Sequence, residues 1–533
     1  MHQDPSRQVR TGVLFPITLI YILLPGIIFL TGWVRWYWAA PVILLWLWLA
    51  GRAVFSEMSF PDSGGRRILP GTHLFLIALA AYVTFATGVG GFVGQCDNYV
   101  GWDNLKLYDL IVHPWPVVYP EKEAFYCYYF GYYLPVALFT RLAGNIHLAE
   151  YFSFIWAWAG VTLCIYWIYV LLQLKRAWMV VIFLLTGTFA AALTSFNTLE
   201  LRFLRFGEDI AYPYTFIRTW WTGNRSLWNT DVPFHCSLHY ASTMTTMAWA
   251  PYHYISGILF PALVWYRIGL RKTFSAVPLI LAAAMIWSPF VTLGLLPVVL
   301  YGVVKYLREV FNRDTLLAAV SALPFLFYFS AHSTSEEMVR GFIWSCGNRW
   351  WLNYLAFVSV EVGLFTILII AQRKYRQSLS YRTLIAINVA ALILIPFVYL
   401  GFYNDFSVKV GIVPLFFLVL VFARLVGRIL EDLLEHGIHK IGFWPCAALI
   451  AWVLSTVVPV NILLHPVFPH PLYAKKTKIS EPFVSDTIRN LSNNLLSSQF
   501  LGDVHNPAYK LLLKPPAEPD STAKSAPSGI QTP

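Results

Sequence analysis

Apolar residues along this chain fall in long blocks separated by short polar stretches. A helix needs about 20 apolar residues to cross a hydrocarbon core of roughly 30 Å, and many of the blocks reach that length. The alternation of apolar and polar positions that a membrane β-barrel requires is absent. The pattern predicts an all-α fold, a polytopic transmembrane helical bundle. Spans are expected at about 12–31, 34–50, 71–92, 151–172, 178–195 and 250–268, then at 276–304, 315–331, 352–371, 383–402, 409–425 and 443–464. The stretch 276–304 carries Trp287-Ser288-Pro289 at its middle and reads as two short helices meeting at one membrane face. Such a break at membrane depth needs a protein neighbour or a cavity to satisfy the freed backbone. The count is about 13 spans.

Charge sets the orientation. Lys and Arg cluster at alternate ends of the apolar blocks, as cytoplasmic loops demand. Arg52, Arg66 and Arg67 mark one inner loop; Lys175, Arg176, Arg267, Arg271, Lys272, Lys305, Arg308, Arg373, Lys374, Arg424 and Arg428 mark others. The basic N-terminus is then cytoplasmic and the tail 465–533 extracytoplasmic. A large first outer loop spans 93–150, a second 196–248, and a third polar loop covers 332–350. The chain divides into a transmembrane domain, 1–464, an extracytoplasmic C-terminal segment, 465–514, that is weakly ordered and helical, and a Pro/Ser-rich disordered tail, 515–533. No internal repeat is visible.

Composition adds three constraints. The chain is 58% hydrophobic and only 12% charged, against about 25% charged in a soluble domain. Its net charge of +11 invites a nucleic-acid reading, but the basic residues sit where inner loops need them. The six cysteines are spread singly without a CxxC pair, so no metal framework is expected. Cys96, Cys127, Cys236 and Cys346 fall on the outer side, which admits a disulfide among them. The first apolar block is too long for a cleavable signal peptide, and no small-residue cleavage site follows it.

Candidate chemistry gathers on the outer side. The stretch Gly90–Gly144 holds Asp97, Asp103, Asp109, His113, Glu121 and Glu123, then an aromatic run from Phe125 to Tyr133. Carboxylates this dense are expected in water at a membrane face. The segment 126–143 either spans or lies along the surface; charge bookkeeping and its five tyrosines favour an interfacial helix. Asp97, directly after the third span, is the expected general base, because partial burial raises a carboxylate toward a useful range. Asp103 and Asp109 could share that role or bind a divalent cation, Mg2+ or Mn2+. His113 supports it or is structural. His253, in Trp249-Ala-Pro-Tyr-His253, opens a span at the outer face and could bind a phosphate or an acceptor. Asn404 and Asp405 either cap a helix or form a polar site with Lys409, or with Arg218 and Arg225, that holds a lipid-linked phosphate. The Tyr/Trp stripe reads first as an interfacial belt.

These blocks also carry a resemblance. The acid after an early span, Trp115-Pro116, Tyr119, the YYFGYY run at Tyr128–Tyr133 and Leu142-Ala-Gly144 come in a familiar order. So do Trp249-Ala-Pro-Tyr-His253, Trp287-Ser-Pro-Phe290 with Gly294, Asn404-Asp-Phe406 and Phe500-Leu-Gly502. Together they resemble an uncharacterised family of bacterial multi-pass membrane proteins related to the GT-C glycosyltransferase superfamily. Each block is short; their order along most of the chain carries the likeness. The chain departs from the family's pattern in having Tyr252 where Gln precedes the His, and Lys409 where Arg is usual.

The resemblance implies a GT-C-like fold in the bacterial inner membrane, with surface-lying helices in the first outer loop. It also implies transfer of a sugar from a polyprenyl-phosphate donor to an acceptor on the extracytoplasmic side, with Asp97 as the acidic residue. The residues are read accordingly. Asp103 and His113 support Asp97, while His253, Asn404, Asp405, Lys409, Arg218 and Arg225 line the donor or acceptor site. The rival readings are a multi-pass transporter or lipid flippase, which needs polar residues within the spans, and a non-catalytic membrane assembly protein.

Overall fold

A computed structural model describes residues 12–59, 68–94, 103–189, 234–332, 339–372, 375, 379–401, 404–437, 442–467, 479 and 500–515. Six of its helices are long and apolar enough to cross a membrane: Leu14–Trp33, Trp36–Met58, Ile146–Leu172, Trp350–Ala371, Asp405–His436 and Phe443–Leu464. Five more apolar helices are 10–17 residues long, among them Pro70–Ala86, Tyr133–Ala143 and Pro289–Lys305. The chain is therefore a membrane-embedded helical bundle. Some expected spans are not straight crossings. Among the described residues of the block 178–195, the helix Val180–Leu185 ends where Thr186 turns extended. The block 315–331 forms Arg313–Val320 and Leu323–Ser330, the second opened by Pro324, which has no N–H to continue the first.

We label the elements used below in chain order. Helices α1 (Leu14–Trp33), α2 (Trp36–Met58) and α3 (Pro70–Ala86) precede the first loop. That loop holds α4 (Asn104–Val112), β1 (Val118–Tyr119), β2 (Ala124–Tyr126) and α5 (Tyr133–Ala143). Next come α6 (Ala149–Leu172), α7 (Pro251–Trp265), α8 (Val277–Trp287) and α9 (Pro289–Lys305). The long helix α10 (Asp405–His436), strand β5 (Leu501–Asp503) and helix α11 (Pro507–Leu512) complete the frame. Between them, β3 (Arg340–Phe342) and β4 (Val398–Leu400) form a small antiparallel ladder.

Helix α10 is the central post. It has 32 residues, and 94% of its most apolar window is buried; at 1.5 Å per residue it is roughly 48 Å long. Its two ends define two polar faces. At its C-terminal end, Lys175 pairs with Glu435 at 2.6 Å, and Arg424 donates to Gln173 at 2.9 Å. The far end of α2 and the end of α7 meet in a second such cluster. There Glu57 pairs with Arg267 at 3.0 Å and also contacts Arg271 and Tyr266. Both members of the Glu57–Arg267 pair are fully buried. Arg52 pairs with Asp314 at 3.0 Å nearby in sequence to Glu57. The other face gathers the start of α10, the first loop, the α1–α2 turn, residues 330–332 and the tail.

The break at Trp287-Ser288-Pro289 is present. Pro289 opens α9, and Ser288 sits extended before it, its side chain accepting the Val291 N–H at 3.3 Å. The carbonyl of Ile286, close to the break, accepts the Gly131 N–H at 2.8 Å. Only glycine fits there: a Cβ on residue 131 would lie 2.9 Å from the Ile286 carbonyl oxygen and the Trp287 Cα. The neighbour that the break required is the aromatic run of the first loop.

Three expectations are corrected. The tyrosines of the run 126–143 do not lie on the surface: while Phe139 and Leu142 further along are exposed, Tyr126, Tyr128, Tyr129, Tyr132 and Tyr133 are all buried. Their rings pack on one another and against α7, which hides more apolar area than a surface position would. Asp103 and Asp109 are buried too, at 3% and 1% exposure, rather than bathed in water. The tail is not loosely ordered throughout, because β5 pairs antiparallel with β2 in the three-stranded order β1-β2-β5. Residues 516–533, expected to be disordered, lie outside the described residues.

Cys236 and Cys346, 110 positions apart in the chain, form a disulfide with Cα atoms 5.8 Å apart. It ties the segment before α7 to the segment that follows β3. We predict a Cys236–Cys346 cross-linked peptide under non-reducing digestion. Cys236→Ser should lower unfolding stability by about 2–5 kcal/mol, read as a drop in the thermal transition in lipid, with activity measured alongside.

Candidate functional site

The site is built where α4, the aromatic run, α7 and α10 meet. Asp103 immediately precedes α4, and Lys106 lies one turn on, so the two side chains share a face. Lys106 Nζ is 2.8 Å from Asp103 Oδ1, and each side chain is 3% exposed. Tyr133 donates to the same oxygen at 2.9 Å. Four rings surround the ammonium: Tyr128 at 4.9 Å, Tyr252 at 5.3 Å, and Tyr133 and Phe500 at 5.4 Å each. Such contacts replace part of the hydration that burial removes. The Tyr128 and Tyr129 rings stack at 3.8 Å.

A second pair stands beside the first. Asp405 and Lys409, one turn apart at the start of α10, are 3.0 Å apart, with side chains 16% and 12% exposed. Lys409 lies over the Phe290 ring at 5.4 Å and against the Tyr129 hydroxyl. The pairs are close enough that the charges of Lys409 and Asp405 are felt at Asp103 and Lys106. His253 sits between them, with ring centres 4.3 Å from Tyr252 and 5.6 Å from Tyr129. It is fully buried, and neither ring nitrogen has a hydrogen-bond partner. Asp103 Oδ2 and Asn404 Oδ1 are likewise buried without partners. Unsatisfied buried groups are rare and call for an explanation.

The electrostatics follow from burial. Loss of water pushes the Asp103 carboxyl above its ordinary range, and the Lys106 charge offsets part of that rise. It pushes the Lys106 ammonium below its ordinary range, and Asp103 offsets part of that fall. Both directions bring the two groups nearer to sharing a proton. His239, in the loop before α7, is pushed down to about 4 by burial, with Asp405 opposing. It is neutral at physiological pH.

The expected residues divide. Asp103, His253, Asn404, Asp405 and Lys409 come together. Asn404 is not a side-chain cap; its φ is +54°, and its amide donates to the Ser237 carbonyl at 3.0 Å. His113 instead contacts Asp109: its Nε2 is 3.8 Å from Asp109 Oδ1, while Tyr119 donates to Asp109 Oδ2 at 2.6 Å. Asp97, Arg218 and Arg225 lie outside the described residues. Among the described residues no group of three or more His, Cys, Asp or Glu could hold a metal ion. Asp103 and Asp109 are each engaged elsewhere, by Lys106 and by Tyr119. A Mg2+ or Mn2+ site on these two acids does not fit, and the reason is that an ammonium already occupies the first of them.

Sequence reasoning missed Lys106. It is the lone cation between Asp97 and Asp109, three residues after Asp103, and that spacing was the available signal. It also read the tyrosines as a belt when they form a cage.

No protein-family model, curated protein or solved structure matches the chain. What the fold and site define is a class: a membrane-embedded helical protein with a buried, aromatic-walled site carrying two ion pairs at one face.

Removing one partner of a buried pair strands the other. Lys106→Met should cost about 3–5 kcal/mol in unfolding stability, and Tyr133→Phe about 1 kcal/mol. The double variant Asp103→Asn/Lys106→Met should cost less than the sum of the singles. A thermal double-mutant cycle in lipid checks this; additive losses would contradict the pairing.

Proposed function

We propose that the protein is a GT-C-like membrane glycosyltransferase that moves a sugar from a polyprenyl-phosphate donor to an acceptor on the extracytoplasmic side. The observation that carries this reading is the set of unpartnered groups. Asp103 Oδ2, Asn404 Oδ1 and both His253 nitrogens are buried among aromatic rings beside two lysines. That chemistry suits a sugar phosphate: cations for the phosphate, rings for the sugar faces, and hydrogen-bonding groups for hydroxyls.

The supporting topology is that of about 13 spans in the bacterial inner membrane, with the N-terminus cytoplasmic and the site extracytoplasmic. The disulfide lies on the site's face, and disulfides persist in oxidising compartments. Arg52, Arg267, Arg271 and Lys175 lie on the opposite face, as cytoplasmic loops require.

In this mechanism the acceptor hydroxyl attacks the anomeric carbon. Its proton passes to Asp103 Oδ2, the bond from that carbon to the phosphate oxygen breaks, and the electron pair leaves with the lipid phosphate. Lys409 and Lys106 stabilise the charge on the leaving phosphate. Asp103 thus takes the role that the resemblance assigns to Asp97, because its free oxygen is at the site. Lys409 acts as a point charge rather than the planar fork an Arg would give.

One observation favours transport or lipid flipping as a second reading. Glu361 and Asn388 are fully buried within apolar helices, and ionisable groups there often mark translocation routes.

The test supplies polyprenyl-phosphate sugars to purified protein in lipid and follows release of sugar from the lipid. Wild type should release sugar. Asp103→Asn should reduce the rate about 100-fold or more, as loss of a general base does, and Lys409→Ala should reduce it as well. Loss in Asp97→Asn but not in Asp103→Asn would move the base back to Asp97. No release by wild type, with donor-driven flux across vesicles instead, would replace the reading with transport.

A further inference from the structure

We propose that residues 500–513, at the far end of the chain, form a strap that completes this site, with Phe500 as its positioning wall over Lys106. Among the described rings of the cage, the strap's Phe500 is the one that comes from neither the first loop nor α7. The strap is held by three independent elements.

The first is β2. Phe125 faces Gly502 and Tyr126 faces Leu501 in antiparallel register, and Cys127 donates its N–H to the Phe500 carbonyl at 2.8 Å. The second is the turn after Ser330. His332 bridges to Gly502, and Asp503 donates to the Ala331 carbonyl at 2.9 Å. The third is the α1–α2 turn. Arg35 donates its backbone N–H to Leu512, its Nε to the Leu513 carbonyl at 2.8 Å and its Nη2 to the Lys510 carbonyl at 2.9 Å.

The register is fixed at Gly502. A Cβ there would lie 2.4 Å from the Phe125 ring and 2.8 Å from the Cys127 Cβ. With that register, the Phe500 ring falls 5.0 Å from the Tyr128 ring and 5.4 Å from Lys106 Nζ. Phe500 and Leu501 are 6% and 8% exposed, so the strap is seated, not draped. Leu512 and Leu513 are buried at its other end. The strap shields the Lys106 ammonium and walls one side of the two lysines against which a ligand would sit. Only that ligand's identity rests on the donor reading above; the shielding does not.

The experiment acylates the full-length protein in lipid nanodiscs with a small water-soluble amine reagent and follows Lys106 by mass spectrometry. Lys175, with its side chain 46% exposed, is the internal reference. Lys106 should be close to inert in wild type. It should react about ten-fold faster relative to Lys175 in Phe500→Ala, which removes one ring of the cage. Gly502→Val, which alters no side chain of the cage itself, should act the same way by lifting the strand that carries Phe500. Phe500→Tyr should restore the shielding, an effect that general loosening would not give. If Phe500→Ala does not assemble, Phe500→Leu keeps the volume without the ring and is read instead. Lys106 reacting freely in wild type, or staying inert in both variants, would overturn the proposal. A second arm adds decaprenyl phosphate. Protection of Lys106 in the Phe500→Ala variant supports strap and donor reading together. Strap-dependent labelling without such protection keeps the strap and removes the donor reading.

Discussion

A charge taken out of water must find a partner, and that constraint organises this molecule. The spans leave few places where charges can be met, so the described ion pairs collect in two groups, with Glu361 buried within a span as an exception. One group holds Glu57 with Arg267 and Arg271, and Lys175 with Glu435. The other holds Asp103 with Lys106 and Asp405 with Lys409. Helix α10 joins the groups, contributing Asp405 and Lys409 at its start and Glu435 at its finish. The two groups differ in kind. At the first, Glu57 is saturated: both of its oxygens are engaged by arginines or Tyr266. At the second, acceptors and ring nitrogens are left over.

That difference separates a structural cluster from a candidate site. A buried ion pair seldom stabilises more than a well-packed apolar pair of similar volume would. The Asp103–Lys106 pair is therefore poor value as a fastening, especially in a bundle already held by large aromatic contacts. Its stranded Oδ2 makes it poorer still. The Lys106 cage softens the cost through four rings but does not remove it. A site waiting for a polar ligand explains both features, since the ligand would supply the missing hydrogen bonds.

Much of the fold was legible because the bilayer imposes a coarse rule. Block length was enough to read a membrane-embedded helical bundle, and Pro289 after Ser288 was enough to break a helix. The neighbour that satisfied the break was not legible, since Gly131 looks like any glycine in an aromatic run. The site was half legible. Polar residues at span ends, such as His253, Asn404, Asp405 and Lys409, announce themselves in an apolar chain. Asp103 was noticed but ranked below Asp97. The burial of Tyr126–Tyr133 was not legible, because a tyrosine-rich run fits a membrane interface and a cage equally well by composition. Only the third dimension distinguishes them, through the pairing of β2 with β5, a contact between positions more than 370 residues apart in the chain.

The long-range pairing has a consequence for how the site is assembled. The first loop cannot close its own cage, since the ring over the open side of Lys106 comes from the C-terminal segment. The antiparallel ladder β1-β2-β5 fixes that segment through backbone groups, which carry register without regard to most side chains. Register then depends on Gly502, where no Cβ fits, and on Arg35, which anchors the segment's other end. A chain whose residues 500–513 complete a site begun near residue 103 must fold its bundle before that site exists. The site is thus a property of the assembled bundle rather than of any one loop, which is why no single short motif in the sequence contains it.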